Sequence, residues 1–183
     1  MLDVTYNHPA LTLIDELHNC PPGRAEAATY ERIGTEIMYT LFSEEFDEFL
    51  VQSPTNDGMY KMDLQCALKG STPFWKYLMR KFNSDFLVVE FKNYSCPLRQ
   101  TPVITTQKYL CSHAFRNVAF IISRRGLSPH AKQLVSGYFR SNQLLIELND
   151  SDLVEMLRMK ANKEDPSDYL LHKVYRLLMG VSA

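Results

Sequence analysis

Glu90 and Lys92 stand either side of Phe91 at the end of the run Phe86-Leu87-Val88-Val89-Glu90-Phe91-Lys92, which otherwise reads as a buried strand. Side chains alternate along a strand, so Glu90 and Lys92 share one face while Val89 and Phe91 take the other. A carboxylate is a ligand for hard cations. An ammonium beside it can orient water and neutralise charge developing on a phosphate. Asp63 is a second acid of the same kind. It falls on the polar face of Tyr60–Leu68, where Tyr60, Met62, Leu64, Cys66 and Leu68 alternate with Lys61, Asp63 and Gln65. If the two strands are neighbours, Asp63 and Glu90 approach to about 5 Å across the ladder. Two ionised carboxylates that close repel unless a cation lies between them. The chemistry implied is metal-assisted hydrolysis of a phosphodiester, with Mg2+ or Mn2+ held by Asp63 and Glu90. The bland alternative is an ion-pair cluster on a half-exposed sheet.

The charge distribution favours a polyanionic substrate. Residues 1–60 hold 11 acidic and 2 basic side chains, and residues 61–140 hold 13 basic and 3 acidic ones. The acids of that basic segment are Asp63, Asp85 and Glu90, two of them site candidates already. A basic surround with a few placed acids suits an enzyme acting on nucleic acid. The four cysteines form no C-x-x-C pair and are expected to be reduced and mostly buried. No apolar run approaches the roughly 18–20 residues of a membrane span, and the first residues do not resemble a secretory leader. The expectation is a cytoplasmic protein with no membrane contact.

The elements that must position these residues are legible from periodicity. Residues 1–24, with a short helix around Ala10–His18 and a Pro-Pro-Gly break, read as a peripheral N-terminal arm. Residues 25–183 read as a single domain. A helix from Glu26 to about Phe42 buries Tyr30, Ile33, Ile37 and Leu41. Strands follow at Phe46–Gln52, Tyr60–Leu68 and Phe86–Lys92, with a helix at Phe74–Phe82 between the last two. Then come a helix at Thr101–Ala114, a strand at Asn117–Ser123, and a helix from Pro129 to about Arg140. A strand at Gln143–Leu148, a helix capped by Asp150 or Ser151, and a helix at Pro166–Met179 complete the chain. This alternation predicts an α/β fold with a mixed sheet, an antiparallel hairpin first and helical crossovers after it.

This order of elements, with Asp63 on the second strand and Glu90-Phe91-Lys92 on the third, resembles the PD-(D/E)xK, or restriction-endonuclease-like, nuclease superfamily. The strings Val88-Val89-Glu90-Phe91-Lys92-Asn93-Tyr94, Tyr109-Leu110 and Ile121-Ile122-Ser123-Arg124 are similar to type IV restriction endonuclease domains of bacterial anti-phage defence. The resemblance spans about residues 28–150. It implies a three-layer restriction-endonuclease-like fold, a mixed central β-sheet flanked by helices, and a Mg2+-dependent endonuclease acting on DNA.

The resemblance also implies a Glu on the first helix. Glu31 and Glu36 each lie about 110° from the centre of the buried face, on opposite sides, and the string Ile33-Gly34-Thr35-Glu36 favours Glu36. The Phe91 carbonyl would complete the metal shell, and Gln107 on the helix after the third strand would stand near the site. Asn93, Tyr94, Arg99, Lys108 and Arg124 are candidate nucleic-acid contacts. The spacing of about 27 residues between Asp63 and Glu90 departs from a tight hairpin because a helix is inserted. A homo-oligomer or a separate sensor protein is the expected regulatory partner, with the last two helices as the contact. The alternative function is a nucleic-acid-binding or protein-interaction module with little or no catalysis.

Overall fold

A computed structural model describes residues 8–54, 58 and 61–180 of the chain. The described residues form a five-stranded mixed sheet in the order β1-β2-β3-β4-β5, flanked by helices. β1 (Phe46–Pro54), β2 (Lys61–Leu68) and β3 (Phe86–Lys92) make an antiparallel meander. β4 (Val118–Ser123) and β5 (Leu144–Asn149) continue parallel to β3. The α/β class and the mixed sheet are as the alternation predicts.

Period two along β4 shows how the layers are built. Val118, Phe120 and Ile122 join one buried cluster, and Ala119 and Ile121 join the other. The first cluster takes in α1 (Pro9–Asn19), α2 (Ala27–Phe42), α3 (Pro73–Phe82), α6 (Asp150–Ala161) and α7 (Pro166–Met179). The second takes in α4 (Gln100–Gln107) and α5 (Pro129–Tyr138), the crossovers between parallel strands. A sheet apolar on both faces needs helices on both.

The inserted α3 is held by aromatic packing. Trp75 is fully buried, with its ring edge-on to Phe42 at 5.2 Å and Phe46 at 4.9 Å. Its indole N–H donates to Ser167 Oγ of α7 at 3.1 Å. The insertion therefore adds core rather than loop, and β2 and β3 pair across it.

Four expectations are corrected. α1 is no peripheral arm: Ala10, Leu13, Ile14 and Leu17 are buried in the main core. The helix expected at Thr101–Ala114 ends at Gln107. Cys111 instead pairs with Arg116 around a left-handed Phe115 (φ 49°), which a continuing helix cannot accommodate. Asn149, not Asp150 or Ser151, caps α6, in a reciprocal box with Asp152. Two of the four thiols, Cys20 and Cys66, are buried, whereas Cys96 is exposed. Tyr60 lies outside the described residues. No described helix is long and apolar enough to cross a membrane.

Candidate active site at the end of the third strand

The β2–β3 ladder pairs Ala67 with Phe86 through to Leu64 with Val89, and the next position in register places Asp63 opposite Glu90. There the backbone pairing gives way to a side chain. Asp63 Oδ2 accepts the Phe91 N–H at 2.8 Å. The backbone ladder thus ends where the carboxylates meet. The N–H and C=O of one strand residue lie on the same side, so the Phe91 carbonyl also faces the Asp63 side.

Glu90 is almost fully buried, and its Oε1 accepts from Lys92 Nζ on the same face. Its Oε2 is buried without a hydrogen-bond partner. An orphaned carboxylate oxygen is costly in a native interior, and a cation, a water or a proton would each relieve it. Burial pushes the Glu90 carboxyl up to about 7; Lys92 offsets part of the rise, the Asp63 charge adds to it, and the Asp63 backbone N–H lowers it. Burial also raises Asp63, against the Phe91 amide, Lys92 and Lys61, which lower it.

Of the two helix glutamates, Glu31 is the one on the side of Asp63. Glu31 is raised by partial burial and by the nearby Asp63, and lowered by Lys92 and Lys61. It accepts from Gln52 Nε2 of β1. Glu36 does not join the group. It is exposed on the other flank of α2 and pairs with Arg32 at 2.7 Å, which also reaches Glu16. Gly34 lies between the two glutamates on the buried face because the Phe91 ring packs against its Cα; a Cβ there would sit 2.3 Å from that ring.

Gln52 and Lys61 are the members that sequence reasoning missed. Gln52 falls between the pairs Val51–Leu64 and Ser53–Met62, opposite Asp63. Its backbone is left-handed at φ 54°, unusual for a strand residue. Met62 packs in the second cluster although Leu64 and Cys66 pack in the first, so the alternation breaks across Asp63. A glutamine carries no sequence signal for that conformation. Backbone of this kind persists where surrounding structure holds it, often at functional sites.

Other candidates are placed elsewhere. Gln107 donates to Gln143, just before β5 begins. That is four residues, about 13 Å of strand, short of the level of Glu90. The parallel crossover carries α4 back from the site end, so its last residue lies far from Glu90. Asn93 is buried, bonded through its amide to the carbonyls of Pro21 and Gly23. Arg124 is a structural hub. It donates to Asn93 Oδ1 (2.7 Å), Asp150 Oδ2 (3.0 Å) and the Leu17, Cys20 and Pro21 carbonyls, and it stacks 4.4 Å over Tyr30. A guanidinium so occupied has no donor to spare for phosphate. Tyr94, Arg99 and Lys108 are exposed, the first two close to the strand end and Lys108 just past Gln107.

Among the described residues no group of three or more His, Cys, Asp or Glu side chains stands ready to hold a metal. Two carboxylates do fit one hard cation: Mg2+ takes one or two, plus waters and phosphate oxygens. The unpartnered Glu90 Oε2 beside Asp63 is the donor set such an ion would use. No protein-family model, curated protein or solved structure matches this chain.

Proposed function

We propose that the chain is a Mg2+-dependent endonuclease of the restriction-endonuclease-like fold, hydrolysing phosphodiester bonds of DNA in prokaryotic anti-phage defence. The observation that carries the reading is the buried, half-unpartnered Glu90 carboxylate beside Asp63 and Lys92, where the β2–β3 ladder ends. Asp63, Glu90 and the Phe91 carbonyl would hold the cation. When bound, it supplies Lewis acidity toward a phosphate oxygen. Lys92 orients the attacking water and neutralises charge that builds on the phosphate. Glu31, which accepts from Gln52, would take the role of the helix carboxylate in place of Glu36.

The direct Glu90–Lys92 contact favours a second reading, a binding module on this fold whose charges only pair with each other. One experiment separates the two. Plasmid and single-stranded DNA are incubated with the protein in Mg2+ and in EDTA, with wild type, Glu90→Gln, Lys92→Ala, Glu31→Gln and Glu36→Gln. Cleavage is expected in Mg2+ alone. It should fall by at least about 100-fold in Glu90→Gln and Lys92→Ala. Glu31→Gln should be impaired and Glu36→Gln active. Undiminished cleavage by Glu90→Gln and Lys92→Ala would overturn the site. Nucleic-acid binding with no cleavage by wild type would support the binding module.

A further inference from the structure

β3 ends at Lys92, and the chain after it borders two connected grooves. The first, about 480 Å3, is lined by Arg24, Ala27, Asn93, Tyr94 and Ser95 among others. Ala27 lies one helical turn before Glu31, which brings this groove to the flank of the candidate site. The second, about 690 Å3, shares Ser95 and continues past Arg125, Ser151 and Arg158 toward the start of α6. Both follow the carboxyl ends of the parallel strands, where ligands settle in open α/β sheets.

The lining has two recurrent parts. Tyr94 is 48 % exposed, an aromatic face in the first groove. Arg24, Arg125 and Arg158 are exposed along the path and form no ion pair among the described residues. Of the two acids in the second groove, Asp150 is already neutralised by Arg124, leaving Glu155 against these cations. An aromatic platform followed by cations is how proteins hold unpaired polynucleotide, stacking a base and tracking the backbone. A duplex hides its base faces and cannot use Tyr94 in this way.

We infer that these joined grooves bind one unpaired polynucleotide strand leading away from the candidate site, with a base stacked on Tyr94 and phosphates at Arg24, Arg125 and Arg158. The choice of a polynucleotide rests on the nuclease reading; the stacking and the single-strandedness come from the grooves themselves.

The test is fluorescence anisotropy in EDTA, where no cleavage is required. Fluorescein-labelled DNA and RNA 12-mers of one sequence, and the matching DNA duplex, are titrated with the full chain. Either single strand is expected to bind at least about tenfold tighter than duplex. Tyr94→Ala should weaken binding about tenfold, and Tyr94→Phe should retain it. Arg125→Glu and Arg158→Glu should each lower the salt dependence by about one phosphate contact. All three positions tested carry exposed side chains, and melting curves verify folding. Equal or tighter binding of duplex, an unaltered affinity in Tyr94→Ala, or no binding at all would overturn the inference. Cleavage that needs Glu90 but ignores Tyr94 defeats the groove alone. Tyr94-dependent binding with no cleavage defeats the nuclease reading alone.

Discussion

At the scale of single residues, Glu90 carries a tension with a measurable sign. Its carboxyl is raised to about 7 in the folded protein, chiefly by burial. An acid raised on folding stabilises the fold below its unfolded pKa, about 4.5, and that contribution is lost as pH rises through 7. At pH 8 ionised Glu90 therefore costs the fold on the order of 3 kcal/mol. Glu90→Gln is expected to be more stable than wild type at pH 8, by less than that because Lys92 loses its partner. The difference should close by pH 4.5. Urea melts at the two pH values check this, and a wild-type advantage at pH 8 would contradict it. Millimolar Mg2+ should stabilise wild type at pH 8 and leave Glu90→Gln unchanged, since only wild type has the ionised oxygen to offer.

At the scale of elements, the site depends on how closely α2 lies on β3. Phe91 places its ring where Gly34 has no side chain, and its own backbone N–H anchors Asp63. Gly34→Ala would force helix and strand apart, since the neighbour is a packed ring rather than a flexible tip. A loss of about 1–3 kcal/mol is expected. On the proposed nuclease reading, Mg2+-dependent cleavage should fall with it even where the variant stays folded, because the shift moves Glu90 and Lys92 together. Thermal melts and a cleavage assay on the same preparation separate the two effects.

Elements also decide what was legible in the sequence. Alternation alone found β2 and β3 and set Glu90 and Lys92 on one face, because period two is a local property of the chain. The charge balance pointed to the same acids. The choice between Glu31 and Glu36 was not local. Both flank the buried stripe of α2 equally, and only the side on which β1 and β2 lie decides between them. Gln107 was misplaced because its position depends on the direction of a crossover, not on its own helix. Asn93 and Arg124 looked like phosphate contacts because their partners, the carbonyls of Leu17, Cys20, Pro21 and Gly23, have no side-chain signature.

At the scale of the whole molecule, Arg124 joins segments 107 residues apart, from the end of α1 to the turn after β4. It also holds Asp150 at the start of α6, which Tyr30 of α2 reaches as well at 2.8 Å. Its side chain is 8 % exposed. Removing one partner of a buried charge pair costs about 3–5 kcal/mol. Arg124→Ala is expected to lose that much, with early loss of hydrogen-exchange protection in α1. Arg124→Lys should not restore it, since an ammonium cannot reproduce the planar fork. Unchanged protection of α1 in Arg124→Ala would show that apolar packing alone seats that helix.

The same hub sets a schedule for the growing polypeptide. A chain synthesised as far as Lys92 already contains Glu31, Asp63, Glu90 and Lys92. Yet β3 then lacks β4 along its other edge, and Asn93 lacks the guanidinium that bonds it beside the first helix. The four candidate side chains are all made early and fixed in place late, only once residues beyond Ser123 have emerged. A ribosome translating this message would carry a nascent chain whose candidate site stays unassembled until most of the fold is there to hold it.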